Sequence, residues 1–283
     1  MKAPPSTSET ARLSEVGWGR LHVVHRDPPS GGGASIALTV PVSTDNLFKH
    51  GASRYVLNFL ADSPDIDVSI RALSRITPFS ERATRQAVDA LADAGLLEVE
   101  PNGNAHRVRI NRTRLHVPTD PIESIPQIPY RTPVRVACQY LKSEFEEVLG
   151  IILFGSVARG DADRRSDIDL WILVDDDLFA ARGAANELAR TLEGLQIPPT
   201  ISLAEAESVD FETHWETIRE RLEAEDTNWA SAERHSFELI VETPASILGQ
   251  SNRVAPEKLF GEGITLRSTK TLERVKREVI TNE

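Results

Sequence analysis

Four residues in the stretch "LFGSVARGDADRRSDIDLWILV" (153–174) have types and spacing that suit chemistry. Asp167 and Asp169 alternate at the opening of one apolar run, and Gly155 and Ser156 close another. On a strand, side chains two apart project to the same face, so the two carboxylates share a side and Ile168 points away. With no lysine between them they repel, and a divalent cation relieves that repulsion. Such oxygen ligands suit Mg²⁺, which keeps several waters and shares its site with phosphate oxygens. Two ions would clamp the attacking and leaving oxygens of an in-line displacement. Gly155 lets backbone amides come close to an anion. Ser156 adds a hydroxyl donor and opens a short helix whose start favours phosphate, and Arg159 adds charge for a triphosphate. The chemistry is phosphoryl or nucleotidyl transfer from an NTP, with ATP the expected nucleotide.

These residues need a scaffold that brings two strand ends together. "IILF" (151–154) and "DIDLWILV" (167–174) read as buried strands, with Trp171 in the core, joined by a polar loop carrying Arg164 and Arg165. A helical stripe through Val136, Tyr140, Leu141, Phe145 and Val148 precedes them, and "AANELARTLEGL" follows. After an acidic middle (200–233), "SFELIVET" reads as a further strand, followed by helical pieces. Asp175, Asp176 and Asp177 read as a solvated loop and helix start rather than further ligands. Strands alternating with helices indicate an α+β or α/β domain over 133–283.

The preceding part of the chain has another pattern. "SRYVLNFLAD" and "DVSIRALSRIT" carry apolar residues at helical spacing. Ser80 caps a third helix, "ERATRQAVDALADAGL", and Gly95 ends it. "LLEVE" and "HRVRI" then alternate around "PNGN", a hairpin signal. Three helices and a hairpin over 46–116 form a winged helix-turn-helix. Residues 51–116 hold nine Arg and eight acids, a balance of +1 in a chain of −11. Arg82 and Arg85 lie on the first turn of the third helix, the end that enters a major groove in such modules. Thr84 and Gln86 are placed to read base edges, and Arg107 and Arg109 alternate on the wing, suited to phosphates. Dimerisation or protein contact is the competing use of such a module. "VPTDPIESIPQIPYRTP" (117–133), with five prolines, reads as a semi-rigid linker over 117–132. Residues 1–45 form an N-terminal extension in which "RLHVVH" (20–25) and "ASIALTVPV" (34–42) could pair as strands.

Composition limits the function classes. A single cysteine, Cys138, excludes an intrachain disulfide and a cysteine metal cage. The seven histidines have no ligand spacing, so a zinc site is not expected. No run approaches the ~18 apolar residues of a membrane span, and no secretory signal is legible, so the expected compartment is the cytoplasm. Six lysines against 26 arginines, with 43 acids, fit a salt-adapted archaeal protein or a GC-rich genome equally. The acidic balance argues against a large nucleic-acid surface but leaves room for a local basic face.

"GSVARGDADRRSDIDL" (155–170) resembles the signature of the DNA polymerase beta-like nucleotidyltransferase superfamily, and most closely its minimal nucleotidyltransferases, including Ser166 before the acid pair. The whole chain also resembles haloarchaeal proteins that join a winged helix to such a domain; "SIPQIPY" and "LFGEGITL" fit that picture. The resemblance implies a mixed sheet flanked by helices, two Mg²⁺ ions on Asp167 and Asp169, and nucleotide contacts from Gly155, Ser156, Arg159 and Ser166. It also implies a third carboxylate on a neighbouring strand, serving in catalysis and metal binding. Glu242 closes "SFELIVET" where a site could open; Glu238 sits in the apolar-acid-apolar context of the family. Glu205 and Glu207 are weaker candidates, and about forty residues intervene where the family's third strand follows sooner. Similar proteins modify small molecules, RNA ends or protein tyrosines, and some are antitoxins acting on a HEPN-type toxin. Two readings follow: a transferase that moves an NMP to a hydroxyl acceptor, and a DNA-binding regulator whose transferase domain senses nucleotide or is inactive. Either could work as a homodimer.

Overall fold

In the computed structural model the residues described are 38–281, apart from 43, 103–104, 176, 203–209, 226–228 and 250–253. The pairing expected of 20–25 with 34–42, and Glu205 and Glu207, lie wholly or largely outside them. The chain divides into Met1–Thr39 and Val40–Glu283, and every element below belongs to the second unit.

The first elements are α1 (Ala52–Asp62), β1 (Val68–Ser69), α2 (Ile70–Ser74), α3 (Glu81–Asp93), β2 (Leu97–Asn102) and β3 (Ala105–Ile110). Ser80 caps α3 by accepting from the Ala83 amide, and Gly95 stops it at φ +72°. The three strands form an antiparallel sheet in the order β1-β3-β2. Val56, Phe59, Leu60, Leu73, Ile76, Val88 and Leu91 bury the inner faces of the three helices.

A one-turn 3-10 helix, Arg112–Arg114, follows β3, and residues 117–133 then pass through two more, Pro121–Ser124 and Ile128–Tyr130, which lead into α4 (Arg131–Glu144). Where composition suggests a spacer, Ile122, Ile125 and Tyr130 are buried in the core. The proline-rich stretch therefore owes its shape to packing as well as to its restricted backbone.

The second part holds β4 (Val148–Phe154), α5 (Gly155–Arg159), β5 (Ile168–Val174), α6 (Leu178–Gly194), α7 (Trp215–Glu223), β6 (Phe237–Glu242), α8 (Pro244–Leu248), α9 (Pro256–Leu259), β7 (Ile264–Arg267) and α10 (Lys270–Thr281). Asp177 caps α6, as the acidic run suggested, by accepting from the Ala180 amide at 2.8 Å. The strands make one mixed sheet in the order β6-β5-β4-β7: β5 runs parallel to β6 and antiparallel to β4, which is antiparallel to β7.

Both faces of this sheet are covered, which is why β4 and β5 read as unbroken apolar runs instead of alternating ones. Ile151, Leu153, Ile168, Leu170, Ile172 and Val174 pack with α4, α6 and α7. Ile152, Phe154, Trp171, Leu173 and Ile240 face the other way, in one cluster with α1, α2, α3 and α10. Trp171 is core, at 1% exposure. A buried polar knot ties α1 to the sheet's β7 edge. Lys276 donates to Ser63 (2.8 Å), Thr265 (2.8 Å) and Asp62 (3.1 Å), and Asp62 also accepts the Thr265 amide at 2.7 Å. A buried ammonium tolerates its desolvation only when its donors are matched in this way.

Candidate active site

The end of β4, the start of β5 and the start of β6 meet at one edge of the sheet. Register sets what meets there: Asp169 lies opposite Phe154 on β4 and opposite Glu238 on β6. The chain turns at Gly155 with φ +74°, and a Cβ at that position would fall 1.8 Å from Asp169 Oδ2. Glycine is required twice over at 155, by a left-handed backbone and by the carboxylate pressed against it. Asp167 and Glu238 are exposed and Asp169 is half-buried, so the acids face solvent at the mouth of an otherwise buried sheet.

The charges are poorly matched. The Asp169 carboxyl is pushed up to about 7, first by burial, then by Glu238 and Asp167, against a smaller opposing effect of Arg159. A carboxylate whose nearest charged neighbours are carboxylates resists ionisation until a cation arrives. Arg159 supplies little of that compensation, because its guanidinium is engaged by Asp161 (3.2 Å) and Glu262 (3.4 Å). Glu262 also pairs with Arg54 of α1 at 3.4 Å, so one glutamate bridges α1 and the end of α5. Glu262 was not singled out in the sequence; its only signal was its place in "LFGEGITL".

Of the two glutamates left open on "SFELIVET", the structure brings Glu238 beside Asp169. Glu242 lies opposite Leu173, four residues further along, or about 13 Å at ~3.3 Å per residue. It is 1% exposed, paired with Arg182 at 3.1 Å and hydrogen-bonded by the Ser246 hydroxyl. Its charge is spent inside the fold, and this removes the geometric case for Glu242 as the third ligand. Ser166 closes the loop before the acids: its hydroxyl accepts the Asp163 amide at 2.9 Å, and its own amide donates to the Asp163 carbonyl at 3.1 Å. Ser156 is half-buried in the one-turn α5, and its carbonyl accepts the Gly160 and Asp161 amides.

Among the described residues no three acids or histidines converge tightly enough to hold an ion by themselves. The donor set still fits Mg²⁺, which is usually held by one or two carboxylates together with substrate phosphates and water. Asp167, Asp169 and Glu238 could supply that protein share, and the raised Asp169 carboxyl is the mark of a site short of positive charge.

The proposed DNA-contacting residues separate. Arg82, Arg85 and Gln86 are exposed on α3, with Arg85 near Glu81 at 3.6 Å. Thr84 is fully buried, bonded to Thr77 (3.2 Å) and to the Ser80 carbonyl (3.1 Å), and so is withdrawn from the outer face. Arg109 is held by Glu98 and Glu100 at 2.7 Å each across the strand pair, which leaves it little to offer a phosphate. Arg107 donates to the Asp67 carbonyl at 3.1 Å.

No curated protein matches the chain. A chain from a crystal structure of a toxin–antitoxin with AMP-PNP is 18% identical, covers 52% of this chain and 83% of its own length, and has a TM-score of 0.32. Among the described residues no helix is long and apolar enough to cross a membrane. Residues 134–224, which carry most of α4 and then β4 to α7 and with them Gly155, Asp167 and Asp169, match the family model described as "Nucleotidyltransferase domain".

Proposed function

We propose that the protein transfers a nucleoside monophosphate from an NTP, with ATP the first nucleotide to try, to a hydroxyl acceptor, and that Asp167, Asp169 and Glu238 are the acids that serve the reaction. The observation that carries this reading is the register Asp169↔Glu238 beneath the turn at Gly155. Asp167 and Asp169, with Glu238 beside them, would hold magnesium, which supplies charge neutralisation for the phosphates and for the developing transition state. Gly155 keeps the approach to Asp169 free of side chain, so a phosphate can come close to the backbone there. The acceptor oxygen forms a bond to the α-phosphorus, the bond from that phosphorus to the β-bridging oxygen breaks, and pyrophosphate leaves. The acceptor's proton passes to a carboxylate at this edge; Glu238, the third acid, lies opposite Asp169 and is placed to take it.

The test uses NTPs labelled at the α- or the γ-phosphate, Mg²⁺ and a cell extract, beside an Asp167→Asn/Asp169→Asn variant. Nucleotidyl transfer leaves the α-label and not the γ-label on an acceptor, and the variant abolishes it. Retention of the γ-label would instead mean phosphoryl transfer, and absence of transfer with every NTP would overturn the reading.

A second activity is favoured by a separate observation. The order helix, strand, helix, helix, hairpin with sheet order β1-β3-β2 supports reading 46–116 as a winged helix, with α3 as its recognition helix. Arg82, Arg85 and Gln86 are its exposed polar face, the face such a helix turns to the major groove. Binding to the DNA upstream of its own gene, measured at several salt concentrations with and without Arg82→Ala/Arg85→Ala, tests this; binding unaffected by the substitutions refutes it.

A further inference from the structure

We infer that the proline-rich segment is a clamp on the loop that carries the acid pair, with Gln127 and Tyr130 as positioning residues for Asp167 and Asp169; this rests on the transferase reading above. The loop 160–166 leads directly into Asp167, so its placement fixes where the first acid begins. Gln127 grips it through both atoms of its amide: Nε2 donates to the Ala162 carbonyl at 2.9 Å and Oε1 accepts the Ala162 amide at 3.2 Å. One residue on, the Tyr130 hydroxyl donates to the Asp163 carbonyl at 2.6 Å. That carbonyl also receives the Ser166 amide, so the tyrosine holds the turn from which the acids spring.

Tyr130 reaches the third acid's strand as well. Its ring meets the His235 ring edge-on at a centroid distance of 5.8 Å, and His235 precedes Glu238 by three residues. Burial favours the neutral imidazole and raises the pKa of the Tyr130 hydroxyl, so an uncharged ring pair persists and the hydroxyl keeps the proton it donates. A single side chain thus touches the supports of both β5 and β6 at the end where Asp169 faces Glu238. Pro126 presses on the loop from the same segment: a Cβ at Gly160, whose φ is +80°, would fall 2.9 Å from the proline Cβ.

The clamp is itself held. Arg131 donates to the Ile125 carbonyl at 3.0 Å and to that of Glu123 at 2.8 Å. Asp120 pairs with Arg135 of α4. Ile122 and Ile125 are buried against the sheet's α4 side. Bonds fixed on both sides of a loop restrict the geometries its acids sample, which is how supporting hydrogen bonds tune metal ligands.

The experiment measures Mn²⁺ binding by electron paramagnetic resonance with the α,β-methylene analogue of ATP, on the full chain. The variants are Gln127→Met/Tyr130→Phe, which removes the three bonds and keeps the volume, and Arg182→Met, which breaks the pair with Glu242 away from this segment and serves as a stability control. The inference expects about 10-fold weaker Mn²⁺ binding in the first variant, with affinity for the metal-free analogue within 2-fold of wild type, and near wild-type Mn²⁺ binding in the second. Tyr130→Phe alone, which keeps the ring contact, should recover part of the loss. Wild-type Mn²⁺ affinity in the double variant, or equal weakening in Arg182→Met at a matched fall in melting temperature, overturns the clamp while leaving the transferase reading intact. A wild-type protein that binds neither the analogue nor Mn²⁺ overturns both.

Discussion

β5 and β6 carry an acid at each end of their shared register, and the two ends have opposite electrostatics. At the mouth, Asp169 faces Glu238 with Asp167 nearby, and burial plus like charge hold its proton up to about 7. At the far end, Glu242 is more deeply buried, yet Arg182 and Ser246 satisfy it. A buried acid with a partner is part of the fold, whereas a half-buried acid set among acids is left short of positive charge. Depth alone does not separate the two.

Two substitutions, with three expected effects, sharpen that contrast. Asp169→Asn should lower nucleotidyl transfer by at least ~10³-fold, about 4 kcal/mol at ~1.4 kcal/mol per decade, without lowering the melting temperature. Arg182→Met should do the reverse, leaving the buried Glu242 with the Ser246 hydroxyl but without its cation. We expect a loss of about 2 kcal/mol in denaturant unfolding, below the 3–5 of a fully enclosed pair because Arg182 stays partly exposed, with transfer per folded molecule nearly unchanged. The third effect is the smallest and concerns pH. Because folding raises the Asp169 carboxyl from its ordinary range near 4 to about 7, the folded chain binds that proton more tightly than the unfolded one. The stability this proton contributes is present below about pH 4 and lost as pH rises through 7. Metal-free protein should therefore be destabilised between pH 5 and 8 by this group, and Asp169→Asn should recover about 1 kcal/mol at pH 8, discounted for its partial exposure. A melting curve of the variant that is no more stable than wild type at pH 8 in chelator would break the account of the mouth.

The arginines of the first module allow a parallel comparison. Arg82 and Arg85 are exposed on a helix, and Arg109 is matched by two glutamates. If α3 contacts DNA, Arg82→Ala should weaken binding about uniformly across sequences and reduce the salt slope by roughly 1, while Arg109→Ala leaves both unchanged. Filter-binding titrations over a salt series check this.

Much of this was legible in the residues. The Gly-Ser corner, the alternating aspartates and the apolar runs on either side specify two buried strands with acids at one end, because period-2 alternation and burial on both faces leave few other solutions. Ser80 and Gly95 marked the ends of α3 by their own chemistry. The choice between Glu238 and Glu242 was not legible: both occupy the same face of β6, and only the register against β5 and the position of Arg182, sixty residues away, separate them. Thr84 looked available beside two arginines, but helical phase turned it inward. The run 117–133 read as a spacer because proline content describes local stiffness, while Gln127 and Tyr130 act through carbonyls more than thirty residues on.

The most direct test of the central claim compares Glu238→Gln with Glu242→Gln in α-labelled nucleotide transfer, each corrected for the folded fraction. The account predicts a loss of at least ~100-fold, about 2.7 kcal/mol, for Glu238→Gln and transfer within a few-fold of wild type for Glu242→Gln; the opposite order would contradict it.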